Sequence, residues 1–125
     1  MITGVLIDPA ERTLSPAQFE PGDLPKMYEM LGCDLVTLAY LDDSAAVFVD
    51  DEGLFKPDQS FFYHEPTGQF LAGKGLVVGP PDDEGESTSC PLSAEDLALQ
   101  IDFGVPTRIG GLLMFIGDRN VREIR

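Results

Sequence analysis

The chain has no tryptophan, one histidine (His64), two cysteines (Cys33 and Cys90) and only eight lysines and arginines in 125 residues. Each shortage excludes something. A structural zinc site takes four nitrogen or sulfur ligands, and His64, Cys33 and Cys90 supply three. The two thiols stand far apart without CxxC spacing, so no disulfide framework is expected, and a reducing cytoplasm is the default compartment. Cys33 reads as a small buried thiol and Cys90 as an incidental loop thiol, in preference to a Cys–His nucleophile with His64. Eight basic side chains against 22 acidic ones give a net charge of −14. That is the opposite of the basic footprint of a protein that wraps a nucleic-acid backbone, so no direct nucleic-acid contact is expected. No apolar run approaches the ~20 residues that span a bilayer. No basic segment followed by a long apolar stretch opens the chain, so neither membrane contact nor a secretory leader is expected.

What remains is the composition of one globular domain, 43% hydrophobic and 24% charged. Ile2 to Asp8 reads as a strand and Arg12 to Phe19 as an irregular or edge strand containing Pro16. Asp23 is placed to cap a helix whose Leu24, Met27, Tyr28 and Leu31 form one apolar stripe, and Gly32 to end it. Leu35 to Leu41 and Ala45 to Val49 flank Asp42-Asp43-Ser44 as a hairpin. Phe61 to His64 is a short aromatic strand. Gln69 to Gly79 reads as one longer strand broken by Gly73 and Gly75, glycines that mark a bulge or a close backbone approach. Pro80 to Ser89 is a polar loop. Ser93 with acidic Asp96 three residues on caps a second helix, to which Leu92, Leu97 and Ile101 give an apolar face. Leu112 to Ile116 is an apolar run open to use as a final strand or an oligomer contact. The expectation is one α+β domain: a mixed or mostly antiparallel sheet of about five strands with two packed helices.

The order of these pieces carries a resemblance. A helix ending in Leu31-Gly32 precedes a strand. A strand then runs into the acidic turn Asp50-Asp51-Glu52-Gly53, and Gly73 precedes a Val77-Val78-Gly79 exit. Last come the acidic loop Asp83 to Glu86 and a Leu-Ser capped helix. Over roughly residues 1 to 102 the chain resembles a small uncharacterised domain family carried by bacteriophages, plasmids and other mobile elements. It departs from that family in having Gly32-Cys33 where the family usually has a Gly-Gly, and Gln59-Ser60-Phe61 near where the family often has an Asn-Arg or similar polar pair. The resemblance implies an accessory protein of a mobile element and brings no activity.

Several constellations invite chemistry. Asp50-Asp51-Glu52 and Asp82-Asp83-Glu84-Gly85-Glu86 resemble hard-cation ligands but lack the alternating spacing of a calcium loop, and read as hydrated turns. Gly73-Lys74-Gly75 places a lysine among glycines without Walker spacing. In Phe61-Phe62-Tyr63-His64, alternation puts Phe61 and Tyr63 on one face and Phe62 and His64 on the other, which suits either a strand covered on both sides or an exposed stacking surface. No catalytic residue, cofactor or metal is indicated, and a hydrolase is the weakest reading.

The charge is uneven. Asp42, Asp43, Asp50, Asp51, Glu52, Asp82, Asp83, Glu84 and Glu86 form two dense segments, whereas residues 103 to 125 hold four arginines and two acids. Averaged over a folded surface of about 6,500 Å², the charge is roughly four times more dilute than that of duplex DNA. Imitation of DNA therefore requires crowding on one face. The expected function is a non-enzymatic binding protein whose acidic face engages a basic protein, with counter-defence by DNA mimicry as its sharpest form. The alternative is a small-ligand or nucleotide-binding module using Phe61, Tyr63, His64, Lys74 and Arg108.

Overall fold

Residues 1–124 are described by a computed structural model. The apolar N-terminal segment forms β1 (Ile2–Asp8), which turns back as β2 (Thr13–Phe19) with Pro16 on the sheet's edge strand. Helix α1 (Leu24–Leu31) follows, capped by the Asp23 carboxylate on the Lys26 N–H and ended by Gly32 at φ +66°. A hairpin of β3 (Val36–Asp42) and β4 (Ala45–Asp50) leads through a 3₁₀ turn, Gly53–Phe55, to β5 (Phe61–His64), β6 (Gln69–Ala72) and β7 (Gly75–Val78). After a loop and α2 (Ala94–Ala98) come β8 (Ile101–Ile109), β9 (Leu112–Gly117) and β10 (Val121–Glu123).

The strands form two five-stranded sheets. Sheet A has the order β2-β1-β7-β4-β3 and sheet B the order β10-β9-β8-β5-β6. Every pairing is antiparallel. One face of sheet A (Val5, Ile7, Val47, Val49, Val77) shares a buried core with Phe62 and Ile101 of sheet B and Leu97 of α2. Its other face (Ala46, Leu76, Val78) packs on Met27 and Leu31 of α1. Burial on both sides explains why all four residues of β7 are apolar or glycine and buried.

Sheet B is strongly curled. Phe70 on β6 and Phe115 on β9 lie three strand positions apart, about 14 Å in a flat sheet, yet their ring centroids are 6.4 Å apart. Tyr63 and Phe115 are 5.1 Å apart across two positions. The concave side thus gathers its own small aromatic core, while the convex side meets sheet A.

These observations correct the expected α+β domain with one five-stranded sheet and two packed helices. The protein is mostly β, with two sheets and one helix of consequence. Three local causes account for the difference. Gly73, at φ +79°, carries the chain from sheet B into sheet A, so the expected single strand Gln69 to Gly79 is two strands in different sheets. The Ser93 cap forms on the Asp96 N–H, but the helix it opens has only five residues, and Ile101 begins β8 instead of extending a helical face. Residues 103–109, with Gly104 and Pro106 interrupting any alternation, belong to β8, the middle strand of sheet B. The run Leu112 to Ile116 does form a strand, β9.

The close approach expected at a glycine occurs at Gly75. A Cβ there would stand 2.8 Å from Cζ of Phe62 and 2.9 Å from Cγ2 of Val47. Gly75→Ala should therefore lower stability by about 1–3 kcal/mol through overpacking, and Phe62→Ala by about 3–5 kcal/mol. Because Phe62→Ala vacates the space the new methyl needs, the double variant should lose less than the sum, measured by urea unfolding as a double-mutant cycle.

Candidate functional site

The acidic segments fall at the ends of sheet A. The β3–β4 turn carries Asp42 and Asp43. β7 runs antiparallel to β4 with Val78 opposite Ala46, so the loop carrying Asp82, Asp83, Glu84 and Glu86 leaves the sheet at that same end. Pro80 joins Tyr40, Asp42, Asp43 and Ala45 around a shallow hollow there. Asp50, Asp51 and Glu52 lie at the other end of β4, about 17 Å away along the strand. The nine carboxylates are thus six at one end and three at the other.

Both loops are built on a carboxylate that accepts from the backbone. Asp42 Oδ1 accepts from the Ser44 N–H and hydroxyl, each at 2.8 Å. The Ser44 bonds hold the Asp42 carboxyl below its ordinary range. Asp82 Oδ1 accepts from the Glu84 and Glu86 N–H groups, each at 2.9 Å. At the far end, Asp50 accepts from the Glu52 N–H and pairs with Lys56. That bond to Asp50 is the chief reason the Lys56 ammonium is held above its ordinary range.

Lys74 lies at this far end too, 3.9 Å from Asp8. Lys74, Lys56, Asp50, Asp58, Gln59 and Gly73 are among the residues lining a hollow of about 320 Å³ beneath the end of α1. The rest of the alternative ligand set does not converge on it. Phe61 and Tyr63 face the concave side of sheet B, where Phe61 packs on Phe70. His64 is buried, with Nδ1 2.7 Å from the Thr67 hydroxyl and Nε2 3.1 Å from Gln100 Oε1. Arg108 is exposed on the β8–β9 hairpin, past the last residue that pairs with β5. The Cys–His reading finds no such pair: His64 bonds Thr67 and Gln100, and burial pushes both the Cys33 and Cys90 thiols up, away from thiolate character.

Sequence reading missed two features. One is the place of β3 as an edge strand of sheet A, opposite the Pro16-bearing edge β2, with Leu38 and Tyr40 exposed and Leu35, Leu54 and Phe55 exposed toward its N-terminal end. The other is Asp102, buried on the concave face of sheet B. Its Oδ1 accepts from the Phe103 N–H at 2.9 Å, and its Oδ2 from Arg122 Nη1 at 3.1 Å. The Arg119 and Asn120 N–H groups also donate to it at 3.2–3.3 Å. Arg122 in turn pairs with Glu65 and stacks 4.5 Å over the Tyr63 ring. Gly117 leaves room for the carboxylate where a Cβ would overlap it. Nothing in the linear order marks this one acid among 22; only its apolar neighbours Ile101 and Phe103 hint at burial.

Comparison with known proteins places these features in a family. The chain belongs to the family described as a domain of unknown function (DUF3846), whose profile matches residues 2–101. It is similar to the uncharacterized protein y4iR of Sinorhizobium fredii (strain NBRC 101917 / NGR234), 33% identical over 95 residues. That alignment covers 75% of this chain and 58% of that protein, so the chain spans little more than half the relative's length. No solved structure matches it. The expected uncharacterised domain over about residues 1 to 102 is therefore present. The match stops one residue short of Asp102, so nearly all of β8 and the whole of β9 and β10 lie outside it.

Asp102 is where the segment outside the match should respond to acid. Burial opposes its charge, but the bonds from Arg122 and three backbone N–H groups outweigh it and hold the carboxyl below its ordinary range. A depressed folded-state pKa gives stability that is complete above the unfolded value of about 4 and is lost as pH falls through the folded value. Asp102→Asn should lower stability at neutral pH by about 1–3 kcal/mol, since it removes a charged acceptor of Arg122 and of backbone N–H groups while Arg122 keeps Glu65. It should also flatten the fall in the urea midpoint below about pH 4. An unchanged acid limb would show that other carboxylates set it.

Proposed function

We propose that the chain is a non-enzymatic binding protein that docks a basic protein through the acidic end of sheet A. The observation that carries this reading is the gathering of Asp42, Asp43, Asp82, Asp83, Glu84 and Glu86 on two loops leaving one end of adjacent strands. Among the described residues, none of the six is in an ion pair. Fields from such a patch steer a cationic partner and set its orientation. The loops are shaped beforehand by the Asp42 and Asp82 carboxylates, which lowers the ordering cost of docking.

The resemblance to domains of phages and other mobile elements supports a finer form. In it the protein acts in the bacterial cytoplasm as an accessory factor and occupies the DNA-binding surface of a host or viral protein. The division of the charge between two ends about 17 Å apart sets the spacing such a target would have to match.

The test is capture from a bacterial extract at rising salt, with the bound proteins identified. Basic nucleic-acid-binding proteins should be retained at about 50 mM salt and released well before 0.5 M, as screening shortens the reach of exposed charges. Duplex DNA should displace them. A variant carrying Asp42→Asn, Asp43→Asn, Asp82→Asn and Asp83→Asn should lose at least tenfold in affinity for the partner identified. Retention unaffected by salt and by these substitutions would remove the electrostatic reading.

One observation favours a second reading, a small-ligand or nucleotide-binding module: the hollow beside Lys74 and Lys56. On that reading, adding a nucleoside triphosphate should shift the amide signals of Gly73 and Lys74, and Lys74→Ala should abolish the shift. Silence at those amides would leave the hollow as surface relief.

A further inference from the structure

The two acidic ends of sheet A are joined by one element, the edge strand β3. Asp34 precedes it, Asp42 ends it and Asp43 follows it, while Asp51 lies opposite its start, hydrogen-bonded by its N–H to the Leu35 carbonyl at 3.0 Å. That bond fixes the alternation along the strand. In an antiparallel pair, successive residues turn their N–H and C=O groups alternately toward and away from the partner. Leu35, Thr37 and Ala39 bond to β4, so Val36, Leu38 and Tyr40 turn theirs to the open edge. The Tyr40 carbonyl confirms the direction: it accepts from Gln69 Nε2 at 3.0 Å, a side chain of sheet B reaching across from outside the β3–β4 pair. The remaining outward groups of Val36 and Leu38 face no strand, since β3 ends the sheet.

Exposed edges of this kind template the addition of another strand unless something opposes it. The apolar side chains are in place, with Leu38 39% and Tyr40 59% exposed, and Leu54 67% and Phe55 85% exposed near the strand's start. The charge selects the occupant. A second copy laid antiparallel along β3 would bring the Asp42 and Asp43 of each molecule against the Asp34 and Asp51 of the other, which is repulsive at both ends. A basic chain meets carboxylates at both ends instead.

We propose that β3 takes up an extended, basic segment of the partner as a sixth strand of sheet A. Main-chain hydrogen bonds would run to Val36 and Leu38, apolar side chains would lie beside Leu38 and Tyr40, and lysine or arginine would sit at each acidic end. This rests on the basic partner proposed above and states how that partner is held. It also gives the separation of the two acidic clusters a use: seven residues of β3 span about 23 Å, and the clusters mark the two ends of one linear site.

The probe is a nine-residue peptide of alternating lysine and valine with blocked ends, compared with the same peptide N-methylated at every backbone amide. The two have equal charge, but the second has no main-chain N–H on either edge to donate to a strand. With the native protein at low salt, the unmodified peptide should slow hydrogen exchange at the Val36 and Leu38 amides at least tenfold, and the methylated one should not. Leu38→Pro removes an outward N–H without removing a bond to β4. It should weaken the unmodified peptide at least tenfold, with the urea midpoint reporting whether the variant folds. If both peptides bind equally and only residues 82–86 respond, the edge inference is overturned while acidic docking stands. If neither peptide binds, both fall. If the Val36 and Leu38 amides are protected in the protein alone in a concentration-dependent way, the occupant is a second copy and the proposal is wrong.

Discussion

The contact between Phe62 and the backbone at Gly75 governs the arrangement of everything else. It is where sheet B touches the middle strand of sheet A, and it works only because β7 has no side chain at that point. Two sheets packed this closely share one apolar layer, which covers Val5, Ile7, Val47, Val49 and Val77 on one side and Phe62 and Ile101 on the other. The crossing from β6 to β7 follows from the same contact, since Gly73 must move the chain between sheets within two residues. With sheet B on one face and α1 on the other, the middle of sheet A is sealed. Its ends and its two edge strands, β2 with Pro16 and β3, face outward.

Electrostatics then sorts the chain into parts that hold the fold and parts that face outward. Arg12 bridges to Asp118, a turn of sheet A to a turn of sheet B, at 2.7 Å. Arg119 and Arg122 serve Asp102 and Glu65, and Lys56 and Lys74 serve Asp50 and Asp8. With most of its few cations engaged internally, the molecule presents an outer charge that is overwhelmingly carboxylate. In the C-terminal segment, which in one dimension resembles a separate cationic tail, Arg119 and Arg122 pair with Asp102 and Glu65, and the segment builds most of three strands of sheet B. Of the chain's net charge of −14, the densest share lies on the loops at the ends of sheet A and around the edge that connects them.

Local chemistry was legible wherever a short segment dictates its own conformation. Asp23 and Gly32 bracket α1 as their residue types require, Ser93 caps the Asp96 N–H, and the Asp42-Asp43-Ser44 turn closes the β3–β4 hairpin. The paired faces of Phe61-Phe62-Tyr63-His64 were also readable, and the strand is covered on both sides at Phe62, Tyr63 and His64. What could not be read was partnership. Gly73 is a break in any reading, but whether the chain resumes in the same sheet or another depends on residues far away. β8 shows no alternation in the sequence, with Gly104 and Pro106 in its middle, and β5 and β9 hold it over different lengths. Asp102 differs from its 21 fellow acids only in what surrounds it.

By itself, the order of residues determined the turns, the caps, the strands with strong apolar character and the surplus of negative charge, because each of these is settled by neighbours within a few positions. The tertiary structure alone decided that there are two sheets, that six of the nine carboxylates of the acidic segments lie at one end, and that β3 has a strand on one side only. The physical reason is that sheets are assembled by hydrogen bonds and side-chain burial between segments tens of residues apart. An edge, a buried ion pair or a charged patch therefore belongs to the assembly and to no single segment of it.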